Sequence, residues 1–279
     1  MSTVKIRRRL QKIYLPNYLV VGLVAATMVL PFIWMVLTSF KFRGEILSIP
    51  PTFWPKTFTL ENYQNAISRL DIGRVYWNTT YVTLIKVFLQ IYTSALLGYV
   101  FGKFKFRGRD FFFYLILFTM ILPFEVYMIP LYRMMAAAGL GDSHLALIIP
   151  MTFSAYAAFL IRQFMFTIPD DFLDAARIDG AGEWYIFHHI ILPLCKPVIA
   201  TLVTFYFMWN WNDFLWPLIV ISSPEKMMLP VALSGFVGEH GSDYGLIMAG
   251  ATMAVVPVLI IFIVFQRYVV QGISLSGLK

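Results

Sequence analysis

The densest group of ionisable residues lies in the segment 169–190. Five acidic side chains and one fixed base occur there: Asp170, Asp171, Asp174, Asp179, Glu183 and Arg177. The pattern predicts a short helix over Asp171–Asp179, a tight turn at Gly180 and Gly182, and a second helix, with Asp174 imitating a capping box. Such an acidic surface suits a basic protein partner, and a solvated loop is the alternative interpretation.

Four charged or amide side chains interrupt long apolar stretches, where such groups are costly and are therefore functional candidates: Lys86, Glu125, Asn210 and Asp213. Asn210 and Asp213 are three residues apart, which predicts a shared helix face. An amide and a carboxylate among tryptophans suit the hydroxyls and ring of a sugar, and interhelical polar packing is the alternative. Lys86 either lines a path through the membrane or reaches the outer interface with its long stem. Glu125 either lines a cavity in a proline-broken helix or hydrogen-bonds locally.

No segment has the spacing of a phosphate-binding loop. In the nearest approach, residues 98–104, three residues instead of four separate the glycines, and Phe stands where a hydroxyl should bind magnesium. Cys195 is the only cysteine, and the adjacent His188 and His189 lack acidic or thiolate company at ligand spacing. We therefore expect no catalytic residue, no metal site and no cofactor bound by this chain.

Apolar elements must position these side chains, because 59% of the 279 residues are hydrophobic and only 13% are charged. A membrane-spanning helix needs about 20 mainly apolar residues. Six stretches meet that need: 18–40, 79–102, 111–131, 145–166, 198–221 and 246–268. They lack the alternation of barrel strands. The prediction is an all-α membrane protein with six transmembrane helices, a transmembrane domain over 18–268, and tails at 1–17 and 269–279.

Clusters of basic residues predict the orientation. The N-terminal tail and the link 103–109 hold five and four basic residues, which should be cytoplasmic. Six spans then place both termini in the cytoplasm, together with 169–190 between the fourth and fifth spans. Because these clusters explain the net charge of +7, nucleic acid is not an expected partner. The uncharged stretch Ile13–Phe40 is too long for a cleaved signal peptide.

Part of the acidic segment resembles the EAA loop of ABC importer permeases: Asp174-Ala175-Ala176-Arg177-Ile178-Asp179-Gly180-Ala181, followed by Phe187, Ile190, Leu192-Pro193 and Pro197. Further motifs along nearly the whole chain are similar to the carbohydrate-uptake subgroup, specifically its MalG-type permease: Pro31–Met35, Thr38–Lys41, Ile129–Tyr132, Ile161–Phe164, Trp211-Asn212, and Phe265–Tyr268 with Gln271-Gly272. The sequence departs from the family at Asp174, where glutamate is usual, and at His188 and His189, where a basic residue is frequent.

In that family the loop forms coupling helices that sit in a cleft on the ATPase subunit. The resemblance implies this role for Asp174, Ala175, Ala176, Arg177, Asp179, Gly180, Ala181 and Gly182. It also implies a multi-pass subunit of a prokaryotic cell (inner) membrane that pairs with a homologous permease. The other implied partners are two ATPase subunits, which hold ATP and Mg, and an extracytoplasmic solute-binding protein.

The implied cargo is a carbohydrate, and specifically an oligosaccharide. Two alternatives stay open. The same machinery could carry a sugar phosphate or a polyol, or the chain could be an ATPase-independent transporter or a membrane enzyme.

Overall fold

The computed structural model describes residues 2–238 and 241–277, with side chains for 16–237 and 243–267. Parts of both predicted tails therefore lie outside the described residues, namely Met1, residues 278–279 and the side chains of 2–15 and 268–277. Among the described residues the strands are β1 (Val237–Gly238) and β2 (Gly241–Ser242), which pair antiparallel, Val237 opposite Ser242. All other regular structure is helical.

The helices in chain order are α1 (Ser2–Ser39), α2 (Arg43–Ile46), α3 (Glu61–Leu70), α4 (Ile72–Lys103), α5 (Arg109–Phe118), α6 (Phe124–Ala137), α7 (His144–Ile148), α8 (Ala155–Met165), α9 (Asp171–Ile178), α10 (Glu183–Ile186), α11 (Leu192–Leu194), α12 (Lys196–Trp211), α13 (Leu215–Val220), α14 (Leu229–Ser234) and α15 (Tyr244–Gly277). Short 3-10 turns occur at Thr119–Ile121, Ile149–Met151 and Pro224–Lys226, and a π-helical turn joins α10 to α11 at Phe187–Ile191.

The predicted all-α class is confirmed, and by length and composition the described residues contain four helical segments able to cross a membrane. They are Pro16–Ser39, Ile72–Lys103, His144–Met165 and Tyr244–Arg267. The number rises to six if each of two bent helix pairs counts as one span: Arg109–Ile121 with Phe124–Ala137, and Glu183–Leu194 with Lys196–Trp211. The helices that contain the first and second predicted spans begin before them, since α1 begins at Ser2 and α4 at Ile72.

The predicted third span, 111–131, is not one continuous helix. The chain bends by 99° between Ile121 and Phe124. Pro123 causes the break, because it has no backbone N–H to donate and it disfavours helical geometry in the residue before it. Leu122 is accordingly extended, with ψ of 115°.

The predicted fifth span, 198–221, is also interrupted. Helix α12 ends at Trp211, and α13 starts only at Leu215. A continuous helix would drive the ring of Pro217 into the carbonyl of residue 213. In the structure Pro217 lies in the first turn of α13, where its missing N–H costs nothing.

The predicted fourth span, 145–166, contains a 3-10 turn between α7 and α8, and α4 supplies hydrogen bonds for the freed backbone. The Thr93 hydroxyl donates to the Thr152 carbonyl at 2.7 Å, and the Ser94 hydroxyl donates to the Ser154 carbonyl at 3.0 Å. Irregular backbone at membrane depth is tolerated only where such partners exist. Thus α4 makes the broken span possible.

The chain forms two compact units, Met1–Leu70 with Gly235–Ala254, and Asp71–Ser234 with Val255–Lys279. In the first unit, the side chain of Asn62 on α3 bonds to backbone carbonyls at the C-terminal end of α1. Its amide donates to the carbonyls of Ser39 and Lys41 at 2.9 and 2.8 Å. A Cβ added at Gly245, near the start of α15, would lie 2.3 Å from the Asn62 amide oxygen, so glycine permits this close approach.

In the second unit, α4 and α8 approach closely through two glycines of α4. A Cβ added at Gly98 would lie 2.6 Å from the Ile161 side chain, and one at Gly102 would lie 2.8 Å from the Met165 Cβ. This is the small-xxx-small pattern that lets membrane helices pack backbone to backbone. The glycines that fail as a phosphate loop therefore have a packing role.

We expect Gly98→Ala to lower the stability of the purified protein in detergent by about 1–3 kcal/mol, because the added methyl overlaps Ile161. Gly73→Ala on the same helix is the matched control, since a Cβ there meets no atom within 4 Å. It should be neutral or slightly stabilising. Thermal unfolding followed by size-exclusion fluorescence measures both variants. Equal melting temperatures for the two would contradict close packing at Gly98.

Candidate functional site

The acidic segment has the predicted arrangement of two short helices joined by a turn. Helix α9 covers Asp171–Ile178, Gly180 follows with φ of +83°, and α10 begins at Glu183. A left-handed φ favours glycine over any residue with a Cβ. The predicted capping box is wrong, because the N-cap Asp170 makes no side-chain cap bond and the carboxylate of Asp174 accepts from Arg177 instead.

Arg177 holds the two short helices together. Its guanidinium donates to the carboxylates of Asp174 at 3.0 Å and Glu183 at 2.9 Å. The other oxygen of Glu183 accepts from the hydroxyl of Tyr99, which lies on α4, at 2.6 Å. The two helices therefore form one hydrogen-bonded body that is attached to α4.

A second attachment to α4 lies at the start of the segment. The Lys103 ammonium donates to the Asp170 carboxylate at 2.6 Å and to the Ile168 carbonyl at 2.5 Å. This ammonium lowers the pKa of Asp170 below its usual value, mainly through the hydrogen bond. Asp170 therefore remains ionised and paired at neutral pH.

The segment has a buried side and an exposed apolar side. Leu173, Ile186, Phe187 and Ile191 are buried. Four large apolar side chains form what we call the outer apolar surface: Phe172, Ile178, Trp184 and Tyr185, exposed by 54%, 85%, 66% and 55%. Among the small residues singled out from the sequence, Ala175 and Gly182 are exposed and Ala176 and Ala181 are half-buried. Sequence reasoning missed the outer apolar surface, although the apolar residues next to charged ones at 172 and 178 could have indicated it.

Lys86 and Asp213 form an ion pair within the second unit. The ammonium of Lys86 on α4 lies 3.0 Å from an oxygen of Asp213, and the two side chains are 4% and 24% exposed. Asp213 lies in the break between α12 and α13, so the predicted shared helix face with Asn210 is wrong. The Lys86 ammonium is thus bonded within the protein.

Asn210 lies one turn away and contacts α4 as well. Its amide nitrogen donates to the Gln90 side chain and to the Tyr206 carbonyl, both at 2.8 Å. These contacts are interhelical polar packing, and Asn210 is 8% exposed. Gln90 was not singled out from the sequence, although it is a polar residue one helical turn from Lys86.

Glu125 is not bonded to Lys86, Asn210 or Asp213 in the described part of the chain. It lies exposed in the first turn of α6, immediately after the bend at Pro123. Among the described residues its carboxylate has no hydrogen bond or ion pair. The broken helix predicted around it is present, and its carboxylate is accessible for other contacts.

The opposite end of α4 from Lys103 holds the loop that precedes α14. Asn78 donates to the carbonyls of Glu225 and Met227 at 2.9 and 3.2 Å, and the Thr79 hydroxyl accepts from the Leu229 amide at 2.8 Å. These contacts were not predicted. Helix α4 thus contacts the acidic segment, Asp213 with Asn210, and this loop.

Asp142 organises the other side of the same loop. Its carboxylate accepts from the backbone amides of Ser222 and Ser223, from the Ser223 hydroxyl and from Lys226. These bonds, with the Ser223 hydroxyl first, lower the pKa of Asp142 well below its usual value. The loop is therefore anchored by an ionised carboxylate at neutral pH.

Comparison with known proteins places the chain among transport proteins. A family described as the binding-protein-dependent transport system inner membrane component matches residues 94–275. The chain is 35% identical over 262 residues to the arabinooligosaccharides transport system permease protein AraQ of Halalkalibacterium halodurans, covering 92% of this chain and 93% of that protein. It is 35% identical over 267 residues to the lactose transport system permease protein LacG of Rhizobium radiobacter, covering 96% of each.

A solved structure is similar as well. The fold matches a chain in the crystal structure of a bacterial ABC transporter involved in the import of the acidic polysaccharide alginate, with a TM-score of 0.82 and 25% identity. The match covers 93% of this chain and 98% of that one. The resemblance to ABC importer permeases of the carbohydrate-uptake subgroup is thus confirmed. The chain belongs to the family of binding-protein-dependent transport system inner membrane components, as a membrane permease subunit and not a catalytic one.

Proposed function

We propose that this chain is one of two homologous permease subunits of an ATP-driven importer that takes up an oligosaccharide. An extracytoplasmic binding protein delivers the cargo, and two ATPase subunits, which hold ATP and Mg, supply the energy. Support comes from the family and from relatives named for arabinooligosaccharides and lactose. The protein crosses the prokaryotic inner membrane six times, with bent third and fifth spans and both termini in the cytoplasm.

The observation that carries this proposal is the set of contacts along α4. Tyr99 and Lys103 bind the acidic segment near one end, Lys86 and Gln90 bind the α12 region in the middle, and Asn78 with its neighbour holds the far loop. At 1.5 Å per residue, Asn78 and Lys103 are roughly 37 Å apart along the axis. That length exceeds the roughly 30 Å hydrocarbon core of a bilayer. A displacement of the acidic segment can therefore act on both other regions through one helix.

The acidic segment is the site at which the ATPase subunits dock. The outer apolar surface gives an ATPase cleft something to bury, and the flanking carboxylates suit basic residues around that cleft. The residues that dock or shape the segment are Asp174, Ala175, Ala176, Arg177, Asp179, Gly180, Ala181 and Gly182. Since Arg177 links α9 to α10, the segment moves as one body, and closure of the ATPases shifts the population toward a second arrangement of the helices.

The cargo path passes the polar groups at membrane depth. A sugar needs hydrogen-bond donors and acceptors to replace those of water, and Lys86, Asn210, Asp213 and Glu125 supply both. Among Lys86, Asn210 and Asp213, the side chain of Asp213 is the most exposed. It lies in the break between α12 and α13, where backbone groups are also available. Rearrangement of α4 would exchange the bonds within this group for bonds to cargo.

We predict that Gly180→Val uncouples the importer. Valine is strongly disfavoured at the φ of +83°, so the turn between α9 and α10 must change and the docking body is distorted. The readout is ATP hydrolysis stimulated by the binding protein in the purified complex, which should fall several-fold.

Gly73→Val, which lies outside the acidic segment, is the matched control for this change. Like Gly180, residue 73 has no atom within 4 Å of an added Cβ, but it lies in the first turn of α4, where its φ is not left-handed. It should retain stimulation. Wild-type stimulation in the Gly180 variant would show that the turn geometry is not needed for coupling.

A second prediction concerns the Lys86–Asp213 pair. Asp213→Asn should destabilise the complex more than Lys86→Met, because it leaves an ammonium that is only 4% exposed without its counter-ion. An uncompensated buried charge costs about 3–5 kcal/mol. Combining both changes should restore most of the melting temperature.

A measurement of sugar uptake distinguishes a role of the Lys86–Asp213 pair in cargo binding from a role in packing alone. We expect the Lys86→Met, Asp213→Asn double variant to assemble with near wild-type stability and still import poorly, because its polar groups for cargo are lost. Full uptake by a stable double variant would show that the pair has only a packing role.

A further inference from the structure

The first unit contains a cavity of about 230 Å³ beside the end of α1. Its walls are mainly apolar, with Trp34, Ile46 and Met248 among them, and five side chains with polar groups also line it: Thr38, Lys41, Glu45, Thr52 and Tyr244. Trp34 of the motif Pro31–Met35 and both ends of the motif Thr38–Lys41 thus line this cavity, although the proposed transport path gives these motifs no role. The family match over 94–275 does not include them.

Thr38 supplies the strongest sign of a missing ligand. Its side chain is 4% exposed, and its hydroxyl has no hydrogen-bond partner among the described residues. Buried hydroxyls are almost always paired, because a buried hydroxyl without a partner loses its bonds to water and gains none in return. Thr38 is one of the residues that line the cavity, so a guest that reaches its hydroxyl would supply the partner that this group lacks.

Lys41 is held in place beside it. The ammonium lies 4.5 Å from the centroid of the Trp34 ring and donates to the Thr52 carbonyl, and the residue is 2% exposed. An ammonium has three N–H donors, and among the described residues the Thr52 carbonyl is the one acceptor bonded to it. Donor capacity therefore remains for a guest.

Glu45 adds an acceptor of opposite charge. Its carboxylate accepts from the Thr52 hydroxyl at 2.6 Å and from the Lys56 amide at 3.0 Å. The Thr52 hydroxyl in the first place lowers the pKa of Glu45, so the carboxylate is ionised at neutral pH. The cavity thus presents an ammonium, a carboxylate and a free hydroxyl between apolar and aromatic walls.

We propose that this cavity binds one neutral sugar ring at the end of the first span that faces the delivered cargo. Sugar hydroxyls donate and accept, which suits Thr38, Lys41 and Glu45 together, and the carbons of the ring suit the apolar walls. An anion such as phosphate would be repelled by the Glu45 carboxylate. Pockets for drug-sized ligands have volumes of about 300–1,000 Å³, and this cavity is smaller. Its volume therefore suits one ring of an oligosaccharide. This inference rests on the proposed function and its orientation.

The test uses the complete importer complex in lipid nanodiscs, with 5-fluorotryptophan in place of tryptophan. The ¹⁹F resonance of Trp34 is assigned with a Trp34→Phe variant. Lactose, arabinotriose, inorganic phosphate and sn-glycerol 3-phosphate are titrated without binding protein or ATP. We expect at least one of the two sugars to shift the Trp34 resonance, with neither anion acting at lower concentration than that sugar.

Thr38→Val distinguishes a binding role from a structural one. It removes a hydroxyl that has no partner, so the empty complex should melt at the same or a higher temperature, while the sugar concentration for half-maximal shift rises about five- to tenfold. Thr27→Val is the matched control, because Thr27 is an exposed threonine of the same helix whose hydroxyl bonds the Val24 carbonyl. It should leave sugar binding unchanged.

Three results would overturn the site: no shift with either sugar, equal sugar binding by wild type and Thr38→Val, or tighter binding of an anion than of either sugar. Uptake of the same sugars with the binding protein present is measured in parallel on the wild type. Absence of uptake with an intact Trp34 response would reject the proposed function and keep the site. The reverse pair of results would keep the function and reject the site.

Discussion

Membrane helices gain little by burying apolar side chains against one another, because lipid tails are just as apolar. Close backbone approach and hydrogen bonds between helices must replace that driving force. In this protein both come from α4: Gly98 and Gly102 allow contact with α8, and Thr93 and Ser94 satisfy carbonyls at the break before α8. The broken fourth span therefore depends on the small and hydroxyl residues of one face of α4.

The same helix connects regions that lie far apart in the sequence. Its two tethers to the acidic segment, from Tyr99 and Lys103, are short hydrogen bonds to ionised carboxylates, and these are stronger than bonds between neutral groups. At its centre, Lys86 donates to Asp213 in the break after α12, and Gln90 accepts from Asn210 beside that break. One continuous helix therefore joins the acidic segment to these polar groups.

Local signals in the sequence predicted the helices well where composition agreed with the positions of proline and glycine. The positions of proline and glycine around 169–182 predicted the two short helices, and long, mainly apolar stretches indicated the four helical segments that are able to cross a membrane. The break at 212–214 was missed because the surrounding sequence is apolar on both sides and the decisive Pro217 lies five residues downstream of Asn212. The pairing of Lys86 with Asp213 joins residues that are 127 positions apart, and no local pattern specifies such a contact. The spacing of Gly98 and Gly102 was noticed for phosphate binding, but its packing role required the position of Ile161.

The central claim is that α4 transmits motion from the acidic segment to the cargo path. The most direct measurement is the number of sugar molecules imported per ATP hydrolysed by reconstituted complexes carrying Tyr99→Phe with Lys103→Met. These changes remove both tethers and leave the outer apolar surface and the Arg177 bridge in place. The account predicts that the ATPase subunits still dock and hydrolyse ATP, while import per ATP falls several-fold. A wild-type ratio in this variant would contradict transmission through α4.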